Sequence, residues 1–290
     1  MRSKIKSYET RLEKCSNFPF YIYRVECKAN AIGIYAHWHE EAEILYIDCQ
    51  GTIEIEGTSY DIKENDIVFI NKEQLHLVNA HTDGMIYAIV FDYDFIDFNT
   101  NDFCQINIIE PLKSKKMLFP TVINSQNNQY EQIKSYLFEM VNQYYSNIPG
   151  KQLKIKCNIY EIIFLLFSAD MFHMPAEAES DYDRSQLAYV KAVIHYMEDH
   201  YNEQITIDDM AQYVSISKFH LIKIFKQITG VTPIIYLRDF RIEQSIKCLS
   251  KGYTVTQTAY MCGFNNLSYF IRAFRERFNM PPKEFQKTVL

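Results

Sequence analysis

Two stretches decide the fold of the C-terminal part of this chain. The first is Ile205-Thr-Ile-Asp-Asp-Met-Ala211-Gln-Tyr-Val-Ser-Ile-Ser217-Lys-Phe-His-Leu-Ile-Lys-Ile-Phe225, and the second is Val255-Thr-Gln-Thr-Ala259-Tyr-Met-Cys-Gly263-Phe264-Asn-Asn-Leu-Ser-Tyr-Phe-Ile-Arg272-Ala-Phe274. In each, a short helix carries a small residue, Ala211 or Ala259, where a second helix must cross closely. A turn follows, then a helix-starting residue, Ser217 or Asn266, then apolar residues at helical spacing. Leu221, Ile224, Phe225 and Ile228 form the inward stripe of one second helix, and Phe270, Phe274 and Phe278 that of the other. Their opposite faces carry Lys218, His220, Lys223 and Lys226 in the first unit and Ser268, Arg272, Arg275 and Arg277 in the second. Between the units, Thr232-Pro233 starts a helix and Lys251-Gly252 stops it, predicting a rod of roughly 28 Å. Successive major-groove faces of a duplex lie ~34 Å apart, so two basic helices held by that rod suit double-stranded DNA.

This stretch resembles the AraC/XylS family of transcriptional regulators. The residues that carry the likeness are Ala211, Ser217, Leu221, Phe225-Lys226, Thr229-Gly230, Pro233, Tyr236-Leu237, Arg241-Ile242, Ala259, Gly263-Phe264, Ser268-Tyr269-Phe270, Arg272, Phe274-Arg275 and Pro282, within residues 187–287. Asn279 stands where the family usually has Gly, and Ser245 where it usually has Ala. The resemblance implies sequence-specific recognition of an operator, a homodimer, and contact with RNA polymerase if the protein activates. Lys223 and Arg272 are expected to touch bases or nearby phosphates, with Lys218, Phe219, His220, Ile222, Leu267, Ser268, Ile271 and Arg275 around them. Ile222 and Ile271 suit the methyl group of thymine.

The overall charge of −6 is unevenly placed. Residues 185–290 hold 13 Lys/Arg against 9 Asp/Glu, a net +4, and residues 1–184 hold 17 against 27, a net −10. A basic C-terminal part beside an acidic N-terminal one confines phosphate contact to the former. With 290 residues, 48% of them apolar, the chain has material for two cores. Seven scattered cysteines without a Cys-x-x-Cys pair fit a reducing cytoplasm rather than a disulfide framework or a zinc site. Met1-Arg-Ser-Lys-Ile-Lys is not followed by the apolar core of a signal peptide, and the clean apolar run Ile162–Phe167 is too short for a membrane span. The expected location is cytoplasmic, with no membrane partner.

Residues 20–91 read as eight short strands: Tyr21–Val25, Ile32–Tyr35, Glu43–Ile47, Thr52–Ile55, Ser59–Ile62, Ile67–Ile70, Leu75–Val78 and Met85–Phe91. Turn material, including Glu56-Gly57 and Thr82-Asp-Gly84, separates them, which predicts an antiparallel barrel or jelly roll. His37-Trp-His39-Glu-Glu-Ala-Glu43 with His76 resembles the cupin pattern, in which such residues meet inside a barrel. It departs at Lys63-Glu-Asn65, where Pro and Gly are usual, and at Gly51, one residue late. His37, His39, Glu43 and His76 can line a ligand cavity, bind a divalent metal, or serve as structural hydrogen-bonding groups. The reading adopted is a cavity for a sugar-like small-molecule effector, with Trp38 and Arg24 as further contacts and no cofactor assigned. Aromatic residues there (Tyr21, Tyr23, Tyr35, Tyr46 and Phe69) offer either core or a stacking surface.

Gln129–Ser146 and Gln152–Phe172 have helical periodicity, broken by Pro149-Gly150. The broad stripe Ile155, Ile159, Ile162, Ile163, Leu166 and Met171 must be covered by the barrel or by a second chain. The fold class expected is thus α+β: a cupin-like effector domain over 1–120, a helical dimerisation segment over 121–173, a flexible acidic linker over 174–184, and an all-α tandem helix-turn-helix domain over 185–290. Two rival readings remain: a cupin-type metalloenzyme joined to a DNA-binding module, and a regulator controlled by a protein partner. No acid/base pair beyond the possible metal ligands points to catalysis, so the chain is not expected to be an enzyme.

Overall fold

The structure, a computed structural model, describes residues 18–175 and 181–289. The chain divides into two compact units, the break falling between Ala178 and Glu179. The linker expected over 174–184 has residues 176–180 outside the described residues. At its far end a helix already begins at Asp181, so the acidic run is not linker throughout.

The first unit holds eight strands where alternation predicted them: β1 (Phe20–Cys27), β2 (Ala31–His37), β3 (Ala42–Asp48), β4 (Gly51–Ile55), β5 (Thr58–Ile62), β6 (Ile67–Ile70), β7 (His76–Ala80) and β8 (Gly84–Phe91). A short ninth, β9 (Val122–Ile123), adds to the edge. They form two antiparallel sheets, ordered β1-β8-β3-β6-β9 and β2-β7-β4-β5. Glu56 (φ 51°) and Gly57 (φ 83°) are both left-handed, so a two-residue turn closes the β4–β5 hairpin with Ile55 opposite Thr58. Such a turn matches the right-handed twist of its strands.

The larger sheet is apolar on both faces. Phe20, Ile22, Ala42, Ile44, Tyr46, Ile67, Phe69, Ile89 and Phe91 form one face, and Val25, Leu45, Ile47, Val68, Ile70 and Val90, one residue out of step, are buried on the other. Against the first face pack α1 (Tyr93–Ile96), α2 (Glu110–Lys113), α3 (Tyr130–Tyr145) and α4 (Lys151–Ser168), through Ile133, Leu137, Met140, Ile155, Ile159, Ile162 and Leu166. A π-helical turn, Gln105–Ile109, leads into α2. The broad stripe of α4 is therefore covered by its own sheet, and a second chain is not required for that purpose. α4 also stops four residues short of the expected Phe172, and Asp170 turns left-handed at φ 52°. The second face of the large sheet looks onto the smaller one: Glu43 of β3 meets His76 of β7 at 3.0 Å.

The second unit is all helical: α5 (Asp181–His200), α6 (Ile207–Tyr213), α7 (Lys218–Thr229), α8 (Pro233–Ser250), α9 (Val255–Met261), α10 (Leu267–Phe278) and α11 (Pro282–Val289). α6 and α9 each open with a reciprocal capping box, Thr206 with Asp209 and Thr254 with Gln257. Ala211 and Ala259 are buried at the crossings. α8 starts at Thr232-Pro233 as expected, although the Thr232 side chain makes no capping bond. Its 18 residues span roughly 27 Å.

The turn after α9 depends on Gly263. Its φ is +77°, and an added Cβ would lie 2.4 Å from the Tyr201 carbonyl oxygen and 3.0 Å from the Arg241 guanidinium. Gly230 caps α7 at φ +76° with open space around it. Gly263→Ala should accordingly cost about 2 kcal/mol or more, from left-handed strain plus a backbone clash, and Gly230→Ala only about 1 kcal/mol. Urea unfolding of the two variants checks this; equal losses would contradict the close approach.

Candidate nucleic-acid interface and effector site

The two helix-turn-helix units superpose along the chain as a repeat. Thr206, Asp209, Ala211 and Ser215 correspond to Thr254, Gln257, Ala259 and Gly263. Ser215 and Gly263 are both left-handed (φ 57° and 77°), and the next amides, of Ile216 and Phe264, donate to the carbonyls of Ala211 and Ala259 at 3.1 and 2.9 Å. One extra residue then enters the second turn. Ser217 accepts from the His220 amide at 3.2 Å to start α7, and Asn266 accepts from the Tyr269 amide at 2.8 Å to start α10. Both helices are 12 residues long. In this register Lys223 and Arg272 are equivalent sixth residues, as are Ile222 and Ile271 before them.

The predicted contact residues mostly stand at the surface. Lys218, Phe219 and Lys223 of α7 are exposed, with His220 and Ile222 half-buried beside them. Phe219, at 77% exposure, is solvated far beyond what a folded core would leave to a phenylalanine. Lys218 pairs with Asp208 of α6 at 3.2 Å. On α10, Ser268, Ile271, Arg272 and Arg275 are exposed, whereas Leu267 is half-buried against the core of the unit. The Arg272 guanidinium lies 5.4 Å from the Tyr269 ring centre and 3.9 Å from Glu276. Arg277 does not share this face. It is three-quarters buried and pairs with Glu243 of α8 at 3.3 Å. Burial pushes the Glu243 carboxyl above its ordinary range, and Arg277 opposes that shift.

In the first unit the structure brings His37, His39, Glu43 and His76 together between the sheets. Each offers one ligand atom, and the four atoms lie within 4.8 Å of one another. β2 ends at His37, paired with His76 of β7 after two register shifts in that pairing. His39 sits in the following loop, its Nε2 3.1 Å from Glu43 Oε2. Each ring places Nδ1 on a main-chain oxygen: His37 on Tyr35 and His76 on Gln74 at 2.9 Å, His39 on Glu41 at 3.0 Å. Burial, then the neighbouring His76 and His39, hold His37 well below the usual imidazole range. Burial acts to raise the Glu43 carboxyl, but contacts with His39 and His76 outweigh it and leave it well below the ordinary range. Sequence pattern found all four side chains. It gave no signal for the three carbonyl acceptors, which are set by backbone conformation alone.

Arg24 and Trp38 fare differently. Trp38 lies between the two histidines, half-buried. Arg24 pairs with Tyr87 across β1 and β8 and shares the face of Phe20 and Ile22, which carries the helices. Its guanidinium lies 4.8 Å from the Tyr145 ring centre and 5.4 Å from that of Tyr87. The structure thus removes Arg24 from the histidine cluster. Tyr21, one step out of phase with it, points the other way. Tyr21 is opposite Val90, which is opposite Glu43, and its hydroxyl is buried without a hydrogen-bond partner.

A tandem helix-turn-helix unit with exposed basic helices, on one chain with a two-sheet domain enclosing polar side chains, defines a ligand-responsive transcriptional regulator. Comparison with known proteins leads to the same class. Family models described as a helix-turn-helix domain and as an AraC-like ligand binding domain match residues 210–288 and 20–163. An uncharacterised HTH-type transcriptional regulator in the cgkA 5' region of Pseudoalteromonas carrageenovora is 38% identical over 112 residues, 39% of this chain and 67% of its own length. The HTH-type regulator YdeC of Bacillus subtilis is 26% identical over 284 residues, covering 93% and 92% of the two chains. The transcriptional activator RhaS of Escherichia coli is 24% identical over 256 residues, 87% of each. Among solved structures, ToxT from Vibrio cholerae aligns over 93% of this chain and 98% of its own at 17% identity, with a TM-score of 0.47. The chain belongs to the AraC family of DNA-binding transcriptional regulators with an N-terminal ligand-binding domain. Its relatives are regulators rather than enzymes. No helix among the described residues is long and apolar enough to cross a membrane.

The different settings of two neighbouring arginines have a measurable consequence. Arg277→Ala should lower stability by about 1–3 kcal/mol, because it leaves Glu243 buried and unpaired. Arg272→Ala should stay within about 0.5 kcal/mol. Thermal melting of both variants tests this, and a larger loss for Arg272→Ala would reverse the assignment of the two side chains.

Proposed function

We propose that α7 and α10 are the reading helices, with Lys223 and Arg272 making the central contacts to bases or adjacent phosphates. The observation that carries this is their equivalence: both are sixth residues of capped 12-residue helices, and both are exposed on the face opposite the core. Lys218, Phe219, His220, Ile222, Ser268, Ile271 and Arg275 flank them, and Leu267 joins them at the helix start. The paired isoleucines supply apolar contact to thymine methyl groups. Each recognition helix enters the major groove of an operator, with α8 setting their separation.

In the same reading the two-sheet domain takes a small, oxygen-rich, sugar-like effector between its sheets, near Glu43 and the histidines. The orphaned Tyr21 hydroxyl supports this, since a buried donor without a partner costs free energy that a ligand oxygen recovers. Trp38 offers a ring beside the site. The chain acts as a cytoplasmic homodimer, joined where Leu153 and Phe164 stand exposed on α4. Effector binding shifts the dimer between arrangements that present the DNA-binding units differently, and RNA polymerase is the further partner if the outcome is activation.

The test uses fluorescence anisotropy on duplexes selected from a random pool by the full chain. Lys223→Ala and Arg272→Ala should each weaken binding by about 1–3 kcal/mol, and at least one should relax preference at a single base position. Unchanged affinity in both would remove α7 and α10 from the interface. For the effector, a panel of sugars at a hundred times the dissociation constant should add roughly 2.7 kcal/mol to stability. That raises the melting midpoint by several degrees, and the shift should be smaller in Tyr21→Phe. No shift across the panel would contradict a sugar-like effector.

A further inference from the structure

The hydrogen positions of the histidine cluster follow from its partners. His37, His39 and His76 each set Nδ1 against a main-chain carbonyl, and a carbonyl oxygen only accepts. Each Nδ1 therefore carries the hydrogen, and a neutral ring then presents a bare lone pair at Nε2. One ligand atom of each ring and a Glu43 carboxylate oxygen lie within 4.8 Å of one another. Nε2 of His39 and of His76 face the same carboxylate oxygen at 3.1 and 3.0 Å, and only the His39 contact has hydrogen-bond alignment. Lone pair against lone pair at that distance, in a site where His76 is fully buried and Glu43 nearly so, must be relieved by something positive.

Protons are one possibility. Two would be needed, one on each ring facing Glu43, setting two imidazolium ions side by side with His37 at 4.2 Å between ring centres from His76. The geometry speaks against it: the 3.0 Å contact of His76 with Glu43 is not aligned for hydrogen bonding, and Nε2 of His76 is left buried without a hydrogen-bond partner. A cation does not require the two atoms to point at each other. It requires both to point at a common centre, and ligand atoms about 3 Å apart are spaced as neighbours around an ion ~2.1 Å from each. The carbonyl-bound Nδ1–H groups are the support that orients a metal-ligating imidazole and fixes its tautomer.

We propose that His37, His39, Glu43 and His76 hold one divalent first-row transition ion in the ligand domain of this regulator. Three nitrogens and one carboxylate oxygen favour such an ion over magnesium or calcium, which take oxygen ligands. This site stands on the geometry of the four side chains and does not rest on the effector reading above.

The test is a titration of the untagged full chain, stripped with chelator and dialysed, with cobalt(II). Visible absorption and calorimetry are read together, and the titration is repeated in excess magnesium. One cobalt per chain is expected, with a ligand-field band and no competition from magnesium. Glu43→Gln and His39→Gln, chosen because His39 is not fully buried, should weaken binding at least 10–100-fold while keeping the far-ultraviolet circular dichroism of the parent. Absence of a stoichiometric band in the parent, or unchanged affinity in both variants, overturns the proposal. Neither DNA nor effector enters this measurement. A failed sugar panel therefore leaves the metal site standing, and a failed titration leaves the regulator reading standing.

Discussion

Helix α8 is the constraint on which the C-terminal unit depends. Each helix-turn-helix is too small to bury a core by itself; the first packs against α5 and the start of α8, the second against the rest of α8. At its start Tyr236 stacks edge-on against Phe225 of α7, ring centres 5.6 Å apart. Toward its end Ile242 and Leu249 lie in one cluster with Ala259, Phe270, Phe274 and Phe285. In the middle Arg241 donates to the carbonyls of Tyr201 and Glu203, both at 2.6 Å, and ties the end of α5 to the turn at Gly263. Polar pins at the centre and apolar contacts at both ends leave α7 and α10 little freedom to reorient. A DNA reader needs that rigidity, because two helices must meet two grooves at a fixed separation.

The second unit is a repeat at the level of backbone conformation more than of residue type. Ser215 and Gly263 occupy the same left-handed position, yet only Gly263 is forced to be glycine by its surroundings. Asp209 and Gln257 play the same part in their capping boxes with different charge. Local hydrogen bonding fixes these positions, and the exposed faces are free to diverge: Phe219 answers to Ser268, and Lys223 to Arg272. Under the proposed reading, that divergence suits two unlike half-sites.

Much of this was legible in the sequence because period and punctuation agreed. All eight main strands lie where β-branched and aromatic residues alternate between turn signals, and the helix starts are where the caps Ser217 and Asn266 and the first-turn proline Pro233 put them. The misreadings are as physical. Arg24 looked like a cavity residue because aromatic neighbours surround it, but it is out of phase with Tyr21 and Tyr23, and strand alternation alone sends it to the helix side. Arg277 looked like its neighbours on α10, and only the position of Glu243 on another helix shows it to be structural. The start of α5 was hidden by an acidic, proline-containing stretch, its buried Leu187, Val190, Val193, Ile194 and Met197 beginning six residues later. The apolar breadth of α4 was plain, but a single sequence cannot say whether a sheet or a second chain covers it. The histidine cluster was recognisable by spacing, and its proton arrangement was not, because that is set by three backbone carbonyls.

The central claim is that one chain reads two successive major grooves from a single rod. Hydroxyl-radical footprinting of the full chain on a selected duplex tests it most directly. The account predicts that each bound protomer protects two patches separated by about one helical turn, ~10 base pairs, and that Arg272→Ala weakens protection over one patch more than over the other. A single protected patch per protomer, equally weakened by Lys223→Ala and Arg272→Ala, would contradict it.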